Sequence, residues 1–190
     1  MGDMKVEITK KHLNTRNLIL VALFTALTAI GAFLRIPMPM VPFTLQNLFS
    51  TLAGLLLGSY LGAVSVGIYV LLGLAGVPVF TSGGGIGYVL QPTFGYLLGF
   101  IVGAWVTGRL RECMGKITFK NMLIANASGM ALIYVLGIGY YYMMATFLLG
   151  QEIGAKVLLV KFFLMTLPGD IVKCFLASVI GVKLLKVFRV

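Results

Sequence analysis

The sequence predicts an all-α integral membrane protein. Its six transmembrane helices form a single membrane domain over residues 1–190, with cytoplasmic N and C termini and a glycine-rich outer loop between helices three and four. Three observations carry this prediction. Hydrophobic residues make up 59% of the chain and charged residues 11%, and mean hydropathy is +1.03, whereas soluble domains carry about 25% charged residues. Apolar runs recur along the chain, as crossings of about 20 residues each require. The basic residues gather in three clusters, separated by even numbers of those runs. A soluble core of 190 residues could not hide so much apolar surface, so a bilayer must solvate the rest. The 24 glycines agree, because small residues let spanning helices approach closely.

The first apolar run, residues 18–34, is long for a signal peptide and is followed by further spans. Pro37, Pro39 and Pro42 end it. Residues 43–57 form the second helix, residues 58–62 a turn, and residues 63–74 the third helix. Both helices are short for a core of about 30 Å, which predicts tilt or partial burial. Residues 76–92 hold Pro78, Gly83, Gly84, Gly85 and Gly87, a composition that excludes a helix. The stretch is nonetheless apolar and nearly uncharged, unlike a solvated linker. Residues 93–110 form the fourth helix and residues 121–149 the fifth. Residues 151–165 carry Lys156 and Lys161 and are partly interfacial, not an independent span. The sixth helix starts around Leu167-Pro168-Gly169-Asp170, where an N-terminal proline is tolerated, and runs to Phe188.

The basic clusters set the orientation. They are Lys5, Lys10, Lys11 and Arg16; Arg109, Arg111, Lys116 and Lys120; and Lys183, Lys186 and Arg189. The positive-inside rule places all three in the cytoplasm, with four crossings and then two between them. Contact with anionic membrane lipids explains the net charge of +10 without nucleic acid. Cys113 and Cys174 are far apart in apolar contexts and read as packing residues.

Absent motifs narrow the function. There is no G-x-x-x-x-G-K-[ST] phosphate loop. His12 is the only histidine, so the chain offers no usual metal site. Ser128 has no histidine at depth to activate it. Of the acidic residues Asp3, Glu7, Glu112, Glu152 and Asp170, only Asp170 falls within the spans, so no paired carboxylates exist there. The chain reads as a non-enzyme without a cofactor.

What remains is Asp170 with Lys173, three residues apart on one helix face. Charges inside spans cost about 2.5–3.5 kcal/mol each on insertion scales and usually face a cavity or a partner. One reading makes Asp170 a helix cap neutralised by Lys173. The other makes the two a ligand-orienting pair for a small polar group with both N–H and C=O. Gln46, Gln91, Phe43, Tyr88, Tyr96 and Tyr142 are predicted on the same outer side. The tyrosines suit an interfacial belt as well as a pocket, and Gln46 suits an interhelical hydrogen bond as well as a ligand. The glycine-rich loop can bind an anion through backbone N–H groups or act as a lid. Apolar Val79, Phe80, Ile86 and Val89 favour the lid. On helix one, Ala22 and Ala26 form a small-x-x-x-small face, fit for internal packing or for docking a membrane partner.

Several stretches then converge. They are Pro37-Met38-Pro39-Met40-Val41-Pro42-Phe43-Thr44-Leu45-Gln46; Gly58-Ser59-Tyr60-Leu61-Gly62-Ala63, followed by Gly76-Val77-Pro78-Val79-Phe80; and Gly83-Gly84-Gly85-Ile86-Gly87-Tyr88, running to Pro92-Thr93-Phe94-Gly95-Tyr96-Leu97, with Asp170 and Lys173 closing the pattern. From about Leu18 onward the sequence resembles the BioY family, biotin-binding S components of energy-coupling factor transporters. The resemblance implies a multi-pass cell-membrane subunit that takes biotin from outside. It implies two kinds of partner, a transmembrane coupling subunit and a cytoplasmic ATPase pair. It implies that Ala22 and Ala26 contact the coupling subunit and that Asp170 and Lys173 meet the ligand head group. The biotin carboxylate would then lie on the loop side, near Ser82 to Gly85 (Ser82 and Gly83 above all) or Gln91, although Lys173 could pair with it instead. An S component for another vitamin and a self-sufficient small-solute carrier are the alternatives.

Overall fold

The computed structural model describes residues 14–36, 42–148, 150 and 166–188. The expectations for residues 151–165, for Lys5, Lys10, Lys11, His12 and Arg189, and for Pro37 and Pro39 lie outside these residues. Five helices account for nearly all the described structure: α1 (Thr15–Phe33), α2 (Gln46–Leu74), α3 (Phe94–Met114), α4 (Phe119–Phe147) and α5 (Leu167–Phe188). Three of them, α1, α2 and α4, are long and apolar enough to cross a bilayer.

Helix α2 is not one rod. Gly58 has φ 85° and ψ −178°, a region open essentially to glycine alone. An unbroken helix would hold residues 46 and 69 about 34 Å apart, at 1.5 Å per residue. Instead the Gln46 Nε2 donates to the Tyr69 hydroxyl at 2.5 Å. The chain therefore reverses at Gly58 into two antiparallel arms, 46–57 and 59–74. The expected turn at 58–62 contracts to this single residue, and Gly62 already lies inside the second arm against the backbone of Gly54. The reversal is capped from α3: the Glu112 carboxylate accepts from the Ser59 N–H and the Ser59 hydroxyl, each at 2.8 Å. An anion there satisfies unpaired donors and opposes the helix dipole. Helix α3 continues to Met114, past the expected end at residue 110, and so carries Glu112 to this contact.

The second helix begins at Gln46, later than expected. Phe43–Thr44 form a short strand, β2, antiparallel to β1 (Arg35–Ile36), with Arg35 opposite Thr44. The Leu45 N–H donates back to the Gly31 and Leu34 carbonyls, which holds this residue outside the helix. The glycine-rich loop also differs from expectation, for it contains a 3-10 turn at Ile86–Leu90. Runs this short tolerate the poorer 3-10 geometry. Cys174 is buried as expected, but Cys113 is exposed in the last turn of α3 and packs into no core.

Helix α3 lies between α2 and α4, and α5 packs on both α2 and α4. Glycines set the α2–α3 distance. A Cβ at Gly54 would overlap the Ala104 carbonyl, and one at Gly108 would overlap the Gly58–Ser59 backbone. Gly67, on the second arm of α2, faces open space. Gly54→Val should therefore lower the melting temperature in detergent markedly, since overpacking costs about 1–3 kcal/mol. Gly67→Ala should leave it unchanged or slightly raised, because alanine is the better helix former. Equal melting temperatures for the two variants would contradict the close α2–α3 approach.

Candidate functional site

One cavity opens where β2, the loop after α2 and the first turn of α5 meet. It is partly open to the outside and leaves about 70 Å³ for the centre of a water-sized molecule.

Its polar floor is built from four segments. Asp170 and Lys173 stand three residues apart in the first turns of α5 and are 5% and 6% exposed, so both charges are withdrawn from solvent. They form an ion pair. The Lys173 ammonium also donates to the Thr44 carbonyl at 3.0 Å and lies 3.9 Å from the Phe43 ring centroid, a cation–π contact. The Asp170 carboxylate accepts from Asn47 Nδ2 at 3.4 Å and from the Tyr134 hydroxyl of α4. That hydroxyl is also 2.8 Å from Thr166 Oγ1. Burying an ion pair is costly unless further hydrogen bonds satisfy both partners. Here β2, α2 and α4 supply them.

The walls are apolar and aromatic: Phe43, Tyr96, Phe100 and Ile133 face the cavity. The loop closes over it. Phe80 is buried, its ring resting on Gly73, edge-on to Tyr69 at 5.5 Å and 4.5 Å from the Tyr88 ring. The Tyr88 hydroxyl is 3.0 Å from Thr81 Oγ1, and the Tyr69 hydroxyl donates to the Val79 carbonyl at 3.2 Å. Tyr140 of α4 donates to the Val89 carbonyl at 2.5 Å. Gln46 thus lies in a relay from the cavity through Tyr69 to the loop.

The structure brings six of the expected residues to this cavity: Asp170, Lys173, Gln46, Phe43, Tyr88 and Tyr96. It leaves four outside the lining. Gln91 and Ser82 are exposed, Gly83 is paired with Phe80 in a tight bridge, and Tyr142 is 47% exposed. Tyr142 is eight residues beyond Tyr134 and so about 80° around the helix from it, at 100° per residue. Sequence reasoning missed Asn47, Tyr134 and Thr166. The signal for Tyr134 was a tyrosine in the middle of a span, where an interfacial belt would not put it. Asn47 was the second polar residue opening an otherwise apolar helix. Ala22 and Ala26 are exposed on α1, opposite the buried face of Val21, Phe24, Thr25 and Thr28. Among the described residues no cluster of His, Cys, Asp or Glu could hold a metal ion.

The arrangement offers a neutral, buried donor–acceptor pair beneath a hydrophobic channel. It suits a compact ligand with N–H and C=O groups at one end and hydrocarbon behind them.

Comparison with known proteins gives the same direction. The BioY family model matches residues 4–190. A probable biotin transporter BioY of Lysinibacillus sphaericus is 41% identical over 179 residues, covering 94% of this chain and 91% of its own. The biotin transporter BioY of Thermotoga maritima is 45% identical over 124 residues, 65% of this chain and 72% of that one. A crystal structure of the S-component for biotin from an ECF-type ABC transporter superposes with a TM-score of 0.77 at 28% identity, covering 98% of this chain and 94% of that one. The chain is a multi-pass membrane protein and belongs to the BioY family.

Proposed function

We propose that this protein is the biotin-binding S component of an ECF transporter, a single membrane domain that captures biotin at the outer face and hands it inward with partner subunits. The observation that carries the reading is the Asp170–Lys173 pair, buried beneath an apolar loop in a chain of this family. The ureido ring of biotin has two N–H donors and one C=O acceptor. Asp170 Oδ2 keeps a lone pair beyond the Tyr134 hydrogen bond, and Lys173 keeps an N–H beyond Asp170 and Thr44. The ring sulfur and aliphatic tail suit Phe43, Tyr96, Phe100 and Ile133. Gln46 and Tyr88 brace the loop, and Asn47 and Tyr134 orient the carboxylate.

The two arms of α2 count as separate crossings in this reading, which gives six with both termini inside. The Glu112–Ser59 contact then lies at the cytoplasmic side, beside Arg109 and Arg111, and the cavity lies outside. The sequence holds no phosphate loop, so the energy comes from an ATPase pair acting through a coupling subunit. That subunit docks on the exposed Ala22–Ala26 face of α1, where small side chains allow close helix approach.

Labelled biotin binding to purified protein tests the pocket. Asp170→Asn and Lys173→Ala should each weaken binding roughly 10- to 150-fold, the worth of about 1.5–3 kcal/mol for a charge-assisted hydrogen bond. Because an orphaned buried charge also destabilises the fold, the double variant Asp170→Asn/Lys173→Gln, which carries neither charge, should melt higher than Lys173→Ala while still binding poorly. Native affinity in that double variant would refute the pocket assignment.

Docking is tested separately. Ala26→Trp should abolish biotin uptake in cells that express the coupling module and leave biotin affinity of the purified protein unchanged. Uptake at the wild-type rate would remove α1 as the docking face.

A further inference from the structure

Resting on the biotin reading, we infer that Arg35 holds the ligand carboxylate at the cavity mouth and so fixes the ligand with its ureido ring inward. The argument begins with charge. Asp170 and Lys173 already neutralise one another on the cavity floor. A carboxylate brought beside them would leave a net negative charge in a buried site, and such a charge is heavily penalised in low dielectric. The uncharged ureido ring carries no such penalty, so the carboxylate belongs at the open end.

One cation is bonded to residues of the cavity wall, although it does not line the cavity itself. Arg35 is exposed in β1 and is tied to two lining residues. Its backbone pairs with Thr44, whose carbonyl accepts from Lys173, and its guanidinium donates to the Thr81 carbonyl. Thr44 and Thr81 both line the cavity. Only one guanidinium nitrogen serves Thr81, and the group has five N–H donors in a planar fork, so enough remain to engage a carboxylate. The other described cations besides Lys173 sit toward the opposite ends of α1, α3, α4 and α5. Ser82, Gly83 and Gln91 offer no charge. The same Arg35 contact joins the loop to β1, so a ligand carboxylate on this guanidinium would sit at the seam where the loop closes.

The test compares biotin with its neutral primary amide on purified wild-type, Arg35→Gln and Arg35→Lys proteins by titration calorimetry. Wild-type protein should prefer biotin to the amide. Arg35→Gln should lose about tenfold in affinity for biotin, as expected for one partly exposed charge-assisted contact, with little change for the amide and an unchanged melting temperature. Arg35→Lys should recover part of the loss. Equal losses for biotin and the amide would overturn the assignment and make Arg35 a brace for the loop. No loss for either would overturn it outright. Failure of wild-type protein to bind biotin at all would reject the underlying function together with the assignment.

Discussion

The structure depends on keeping two opposite charges satisfied out of water. Asp170 and Lys173 are buried together, and each charge would be costly alone. Their satisfaction is distributed: Thr44 comes from β2, Asn47 from the first arm of α2 and Tyr134 from α4. The pair can form well only if these segments have already converged on the start of α5. The polar floor thereby acts as a check on that whole end of the bundle, in a medium that offers no hydrophobic force between helices.

Convergence is made possible at the other end. The Gly58 reversal folds one long apolar stretch into two arms, and Glu112 closes it against α3. Gly54 and Gly108 then let α2 and α3 meet backbone to backbone. Without the reversal, Gln46 and Tyr69 would lie on opposite sides of the protein, and the relay from cavity to loop would not exist. The two ends are thus complementary: backbone proximity without side chains at one, and a dense polar knot at the other.

This division explains what could be read from the sequence. Asp170 and Lys173 stood out because charges are rare in spans and three-residue spacing puts them on one face. Gly58 stood out as the head of a turn, and Gln46 as a polar residue opening an apolar helix. Tyr134 was hidden because its value comes from facing inward, and mean hydropathy carries no facing direction. Tyr142, the tyrosine expected from the same helix, lies outside the cavity lining. Strand β2 was invisible for a related reason: two residues have no period, and Leu45 is held out of the helix by carbonyls of α1 that the local sequence cannot announce. The loop was legible in composition but not in form, since Phe80 is placed by the space above Gly73, a contact set by three dimensions.

The contacts of α1 connect its two faces to different tasks. Ala22 and Ala26 look outward, whereas Thr25 donates to the Ser65 carbonyl of α2 at 2.8 Å. At the helix end, a Cβ on Gly31 would overlap the backbone at Leu45 and Gln46, and the Leu45 N–H is bonded to the Gly31 carbonyl. The next residues, Gln46 and Asn47, stand in the cavity, and Thr44 immediately before them holds Lys173. The end of α1 is therefore joined to the cavity's polar residues by hydrogen bonding at Leu45 and by the close approach of Gly31. If a partner docks on the Ala22–Ala26 face as proposed, α1 is the element that connects it to the Asp170–Lys173 floor.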